Sequence, residues 1–468
     1  MATFILVGAD RGILLYFVVL NSLYALLLIL SIPELWEQWR IADDSELSRL
    51  RGSDVIPPLS VLVPAYNEEK AVSDSLLSFV TLEYPRHEVI VINDGSTDGT
   101  MQQLIDTYDL YEVPPAFPRP ITTQPVRAYY RSRRQGKLLC IDKENGGKAD
   151  ALNAGLNAAH FPYVLAVDAD TVIEPDALLR MVRPFTLGVE VAAVGGTVRV
   201  ANGSRVQHAR ILDPRVDWRP LAGFQTVEYL RAFLFGRLGW NRLGGSLIIS
   251  GAFGLFRRDY LLGIEGYTTR SVTEDMDLVV RLRKYLCDNG IEAELSFIPD
   301  PVAWTEVPSS VRVLSAQRER WHRGLIATLV GHRDLMFNRR YGSVGFIAFP
   351  FFVLGEMLAP LVELFGYVGF GLGLWLGVID RWFALMFLAA SVGYGFILSL
   401  WAILLEEVSF RRYSHFTDLL KLLMFAALEP FGYRQLTLVV RCWSFVNYLR
   451  RKKGWGEMIR RGLRQVEA

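Results

Sequence analysis

Two carboxylates one residue apart, Asp168-Ala-Asp170, follow directly on the apolar run Tyr163-Val-Leu-Ala-Val167. Carboxylates at i and i+2 just beyond a buried strand can present oxygens to one hard divalent cation, and Mg²⁺ is typically held by one or two carboxylates plus substrate phosphates. Such a cation would offset the charge of a diphosphate and stabilise it as a leaving group. Asn145-Gly-Gly-Lys148 sets a flexible glycine pair before a helix start. Backbone N–H groups at a helix N-terminus favour anions, and Lys148 adds a point charge, although the spacing is not that of a Walker A loop. Thr273-Glu-Asp-Met-Asp277 opens a further helix, where acidic residues also serve simply as complements to the helix dipole. Gln317, Arg320 and Trp321 fall at i, i+3 and i+4 and share one helical face. A Trp ring beside a hydrogen-bonding Gln and Arg suits a sugar, though core packing is the ordinary role of a helical Trp.

These residues need elements to carry them. Leu59-Ser-Val-Leu-Val-Pro64 is a short apolar run, followed by a helical stretch from Ala71 to Leu82 and a second run, Glu88-Val-Ile-Val-Ile-Asn93, which ends at Asp94-Gly-Ser-Thr-Asp-Gly99. Two buried strands with a helix between them make a βαβ unit and a parallel sheet. A Pro-rich, basic connection (Pro114 to Arg134) leads to Leu138–Ile141, a helix from Lys148 to about Ala159, and the strand ending at Val167. Ligands of open α/β sheets bind at the carboxyl ends of the strands, which is where Asp94, Asp168 and Asp170 all fall.

Of 468 residues, 51% are hydrophobic and 21% charged, and the mean hydropathy is +0.23. That average exceeds an ordinary soluble enzyme's, while the charged fraction is near normal, so a soluble part and a membrane part are implied. Disorder is excluded by the apolar and aromatic content. Fifty basic against 49 acidic residues leave no global field to recruit nucleic acid. Cys140, Cys287 and Cys442 are too scattered for a disulfide framework or a zinc cluster.

Ile13 to Ile32 carries no charge and, at about 1.5 Å per residue, spans the roughly 30 Å hydrocarbon core. A retained anchor is favoured over a cleaved signal, since only Arg11 precedes the run and no small-x-small site follows; Trp36 and Trp39 suit an interfacial belt. Val344–Ile379 carries only Glu356 and Glu363, Trp382–Leu405 carries no charge, and Asp380-Arg381 between them suits a turn. Leu419–Val440, interrupted by Lys421, Glu429, Pro430 and Arg434, reads as a bent span or an interfacial helix. Glu356 and Glu363, seven apart, share a helical face and point to a protein interior or to an interface. The basic end, Arg450 to Arg464, favours the cytoplasmic side. The expected domains are 1–40, an anchor; 55–340, a cytoplasmic α/β domain; 341–440, membrane or interfacial helices; and 441–468, a basic tail. Asp213–Leu247, with Trp218 and Trp240, fits no assignable pattern beyond a membrane-adjacent element.

In order along the chain, Val63-Pro-Ala-Tyr-Asn-Glu68, Asp94-Gly-Ser, Gly147-Lys148-Ala, Asp168-x-Asp170, Thr273-Glu-Asp275 and Gln317-x-x-Arg320-Trp321 together resemble the membrane-integrated family 2 glycosyltransferases of the cellulose, hyaluronan, chitin and poly-N-acetylglucosamine synthase group. The resemblance implies an α/β GT-A domain with transmembrane helices and inverting, processive transfer from a UDP-sugar to a growing polysaccharide, which leaves through the enzyme's own helices. It implies Mg²⁺ or Mn²⁺ on Asp170 and Asp168, and a nucleotide-sugar site of Pro64, Tyr66, Glu68, Asp94, Lys148 and Asp168. Asp275, with Glu274 beside it, corresponds to the catalytic base, and Gln317, Arg320 and Trp321 to the acceptor site. A multi-pass protein of the plasma (inner) membrane follows, with the bilayer and a polysaccharide or lipid acceptor as partners and room for accessory export subunits. Ser250-Gly-Ala-Phe-Gly-Leu-Phe-Arg257 lacks the cysteine of the cellulose synthases and looks closer to the poly-N-acetylglucosamine and hyaluronan enzymes. Transfer of one sugar to a lipid carrier, and a non-catalytic membrane scaffold, are the alternatives.

Overall fold

A computed structural model describes residues 2–41, 44–53, 56–69, 72–115, 117–207 and 210–451. The basic cluster beyond Arg451 (Lys452, Lys453, Arg460, Arg461, Arg464) and Ala71 lie outside the described residues.

The described residues form twelve strands: β1 Leu59–Ala65, β2 His87–Asp94, β3 Leu110–Val113, β4 Val126–Ser132, β5 Leu138–Lys143, β6 Tyr163–Val167, β7 Val172–Ile173, β8 Val191–Val200, β9 Arg205–Gln207, β10 Arg210–Asp213, β11 Phe253–Arg257 and β12 Glu294–Thr305. Ten make one mixed sheet in the order β3-β4-β5-β2-β1-β6-β11-β8-β12-β7, and β9 and β10 form a separate ribbon. The centre, β5-β2-β1-β6, is parallel, and β11 runs antiparallel against both β6 and β8. Parallel strands covered on both faces read as continuous apolar runs, which is why Leu59, Val61, Leu62 and Val63 of β1 are all buried, each contributing roughly 1.5–3 kcal/mol. The β1–helix–β2 unit expected from the two apolar runs is present, with its helix at Val72–Val80, and so is the expected α/β sheet.

Packing divides the chain into two compact units, and their limits differ from those drawn on composition. The sheet unit comprises Trp36–Arg215 and Ser246–Val307. Among the described residues, the helical unit comprises 2–35, Val216–Gly245 and 308–451. The stretch left unassigned from sequence thus belongs largely with the helices: Phe425 would meet a Cβ on Gly223 at 2.1 Å, and the Arg231 guanidinium grips both oxygens of Glu429 at 2.5 Å. Among the described residues, Gly12–Pro33 is long and apolar enough to cross a membrane, and Val344–Met357 with Ala359–Trp375 qualifies as a pair bent by 42°. Leu419–Val440 falls on two helices, Phe416–Leu428 and Tyr433–Leu449, broken where Gly432 takes φ +94°. Glu356 faces protein, accepting from the Tyr24 hydroxyl at 2.6 Å.

Candidate active site

The carboxyl ends of the central strands bring together most of the acidic residues singled out in the sequence. β6 ends at Val167, and the chain turns at once, the Thr171 amide donating to the Asp168 carbonyl at 3.0 Å; Asp168 and Asp170 are half-buried on this turn. Lys148 is the first residue of the Lys148–Ala158 helix. Its ammonium lies 2.6 Å from Asp168 Oδ1 and 3.3 Å from Glu274 Oε1 and donates to the Gly251 carbonyl at 3.0 Å. Glu274 and Asp275 open the Glu274–Asp288 helix, with Thr273 at its N-cap position. Asp275 Oδ2 accepts the Gly251 amide at 3.0 Å and Oδ1 its neighbour's amide, Met276, at 2.8 Å. Gly251 therefore links the two groups, its carbonyl on Lys148 and its amide on Asp275, and a Cβ there would stand 3.1 Å from Asp275 Oδ2.

Burial opposes charge on Lys148, but Asp168 and Glu274 outweigh it, so its pKa is raised and the side chain stays a cation. Glu274 is 6% exposed. Burial pushes its carboxyl above the usual range; Lys148 counteracts that push and Asp275 adds to it. A small, partly open pocket adjoins these groups, lined among others by Lys148, Ile249, Tyr267, Glu274 and Asp275.

Asp94 ends β2 but turns inward. It is 3% exposed, with Oδ1 taking the Lys143 ammonium at 2.6 Å and the Gly146 amide at 3.0 Å, and Oδ2 taking the Gly147 amide at 2.7 Å. Its oxygens thus meet the glycine loop, beside the nucleotide-sugar site that the resemblance implied for Asp94. Pro64 lies within β1 itself, and the loop after the strand carries Tyr66 and Glu68. Tyr66 is half-exposed and the Glu68 amide donates to Thr100 Oγ1 at 2.9 Å. This loop is tied to Ser96-Thr97 by Asn67, whose Oδ1 accepts the Thr97 amide at 2.8 Å. Gln317, Arg320 and Trp321 belong to the helical unit, on the Val311–Gly331 helix. Trp321 is 37% exposed, with the Arg318 guanidinium 4.6 Å from its ring, so it is not a core residue.

Sequence reasoning missed Lys143, Asp150, Gly251 and Asn67. A lysine closing the strand Leu138-Leu-Cys-Ile-Asp-Lys143 was the available signal for Lys143; Gly251 and Asn67 act through backbone and amide groups that residue type alone does not flag.

Among the described residues no three His, Cys, Asp or Glu side chains form a metal cluster. Two carboxylates on the β6 turn nevertheless suit a hard cation that takes its other ligands from a diphosphate and water, so Asp168 and Asp170 fit the implied Mg²⁺ or Mn²⁺.

Two family models match this chain: "Glycosyltransferase like family 2" over residues 133–324 and "Glycosyl transferase family 2" over residues 60–114. The poly-beta-1,6-N-acetyl-D-glucosamine synthase of Staphylococcus epidermidis is 30% identical over 278 residues, 59% of this chain and 55% of the relative. The synthase of the same name from Staphylococcus aureus is 28% identical over 306 residues, 64% of this chain and 61% of the relative. The match therefore spans little more than half the length of these relatives. Among solved structures, a mannosyltransferase of Pyrobaculum calidifontis in complex with GDP-Man and Mn²⁺ aligns with a TM-score of 0.49 at 18% identity, over 90% of this chain and 99% of that one. S. aureus TarS 1-349 with UDP-GlcNAc aligns with a TM-score of 0.40 at 17% identity, over 81% and 92%.

Proposed function

We propose that this chain, whose residues 60–114 and 133–324 match family 2 glycosyltransferase models, transfers a sugar, with inversion, from a UDP-sugar to a growing polysaccharide at the membrane. One observation carries the reading: Lys148, Asp168, Glu274 and Asp275, from three separate elements, converge at one end of the sheet with Lys148 2.6 Å from Asp168.

The chemistry assigned to each group follows from its surroundings. Lys148, held cationic, faces the departing diphosphate and stabilises its charge where that charge develops. Asp168 and Asp170 would hold Mg²⁺ or Mn²⁺, which when bound supplies further charge neutralisation. Asp275, oriented by the Gly251 and Met276 amides, accepts the proton of the acceptor hydroxyl. Inversion follows because a single displacement needs its base on the face opposite the leaving group. Glu274, its carboxyl raised and buried against Lys148, shapes the field around the base. The half-exposed Trp321 with Gln317 and Arg320 holds the acceptor chain, which makes repeated addition the favoured mode; the apolar helices anchor the protein in the bilayer and serve export.

The relatives make poly-beta-1,6-N-acetyl-D-glucosamine, so UDP-N-acetylglucosamine is the first donor to test. The full chain in nanodiscs is incubated with Mg²⁺ or Mn²⁺ and each UDP-sugar, and UDP release is measured beside product length. UDP release with one donor and a long product is the expected result. Addition of one or two sugars only would favour the lipid-carrier reading, and silence with every donor would count against transfer by this chain alone.

A further inference from the structure

Beneath the loop that delivers Lys148 lies a buried charge cluster. Lys143, the last residue of β5, is fully buried, its ammonium 2.6 Å from Asp94 Oδ1 and 2.6 Å from Asp150 Oδ2, and it donates to the Glu144 carbonyl at 2.5 Å. The two carboxylates are themselves committed to backbone. Asp94 takes the Gly146 and Gly147 amides at 3.0 and 2.7 Å, and Asp150 takes the Gln124 amide at 3.1 Å. Removing three charges from water is costly, and an apolar residue of similar volume often serves stability as well. A structural account of Lys143 is therefore weak unless the charges hold something in place.

What they hold is the segment Asn145–Gly147. The Asn145 side-chain amide donates to the Asp94 carbonyl at 2.8 Å, a Cβ on Gly146 would stand 2.5 Å from Asp150 Oδ2, and Gly147 takes φ +85°, ψ 169° before the helix begins at Lys148. With Gly146 and Gly147 pinned, the position of Lys148 beside Asp168 is set.

We propose that Lys143 is a positioning residue for glycosyl transfer: shared between Asp94 and Asp150, it fixes the glycine loop that carries Lys148 to the diphosphate. The inference rests on the reading of Lys148 given above and deepens it. Lys143 touches no substrate and acts through Lys148.

The test is a double-mutant cycle on the full chain in nanodiscs, with UDP release from UDP-N-acetylglucosamine as the rate and thermal melting as the control. Lys148→Met is expected to lower kcat on the order of 100-fold, as for loss of one charge-stabilising donor. Lys143→Met should lower kcat comparably, and the double variant should lose no more than Lys148→Met alone, because both act through one group. Arg180→Met, which breaks an ion pair with Asp176 and Asp300 elsewhere in the sheet unit, should reduce melting temperature with kcat kept. A normal kcat in Lys143→Met, or losses that multiply in the double variant, would overturn the proposal while leaving Lys148 in its role. Full activity of Lys148→Met would remove the parent reading and this one with it. Should Lys143→Met not fold, Asp150→Asn takes its place: a lowered kcat at near-normal melting temperature supports the proposal, and an unchanged kcat sinks it.

Discussion

Asp275 combines two properties a base needs. It sits at the mouth of the acidic cluster, and both oxygens are aimed by backbone amides, Gly251 and Met276. Asp275→Asn keeps that geometry and removes the basicity, so transfer should fall by at least the roughly 10²–10⁴-fold typical of a lost general base, while UDP binding by calorimetry stays within a few-fold; equal loss of both would end the assignment. Asp170→Ala, by contrast, should abolish activity together with its dependence on Mg²⁺ or Mn²⁺, and a fully active variant indifferent to EDTA would rule out metal ligation there. Glu274 gives a pH prediction with a definite sign. Burial, opposed by Lys148, raises its carboxyl above the ordinary range, so the folded state holds this proton more tightly than the unfolded chain does. Its contribution to stability is complete below the usual glutamate value of about 4.3 and is lost as pH rises through the higher folded value. Glu274→Gln should flatten that decline in melting temperature across the acid range, and an unchanged slope would show that Glu274 does not titrate in this way. At this scale the sequence revealed the groups that carry net charge past strand ends: Lys148, Asp168 and Asp275. It did not reveal that Asp94 faces inward, because the direction of a strand-end carboxylate depends on Lys143, whose partners lie 49 and 7 residues away in sequence.

Elements made of continuous apolar runs were the easiest to read. β1, β2 and β6 are buried on both faces, and their edges fall within a residue or two of the expected ones; the helix opening at Glu274 was marked by its acidic first turn. The hairpin β3–β4 and the ribbon β9–β10 were not legible, because their polar, partly exposed residues show no apolar alternation and are set by neighbours. The connection before Lys148 illustrates what an element boundary does for the site. Gly147 at φ +85°, ψ 169° occupies a region essentially reserved for glycine, where other residues pay about 1–3 kcal/mol. Gly147→Ala meets no neighbour within 4 Å, so its effect is purely conformational. The variant should melt lower by an amount matching that strain and lose transfer as Lys148 is redirected. A normal melting temperature would mean that the loop relaxes at no cost.

At the scale of the whole molecule, the chain packs as a sheet unit and a helical unit, whose limits composition did not draw. Val216–Gly245, left without an assignment, and the Gln317-x-x-Arg320-Trp321 helix fall within the expected 55–340 segment, yet they pack in the helical unit, where the Arg318 guanidinium meets Glu228 at 2.8 Å and Tyr433 donates to Glu228 at 2.7 Å. These are contacts between segments remote in sequence, and no local period announces them. The division separates two jobs that one variant can resolve. The base and the diphosphate-facing lysine belong to the sheet unit, and Trp321, 37% exposed beneath the Arg318 guanidinium, belongs to the helical unit. If Trp321 stacks on the acceptor chain, its loss weakens the holding of polymer and takes nothing from the breaking of the donor bond. Trp321→Ala should therefore shorten the product several-fold while the donor KM and UDP affinity stay near normal, with size-exclusion chromatography of the product as the measurement. Asp275→Asn should stop UDP release altogether. Products of unchanged length from Trp321→Ala would return this residue to a packing role and take the support for processive growth away with it.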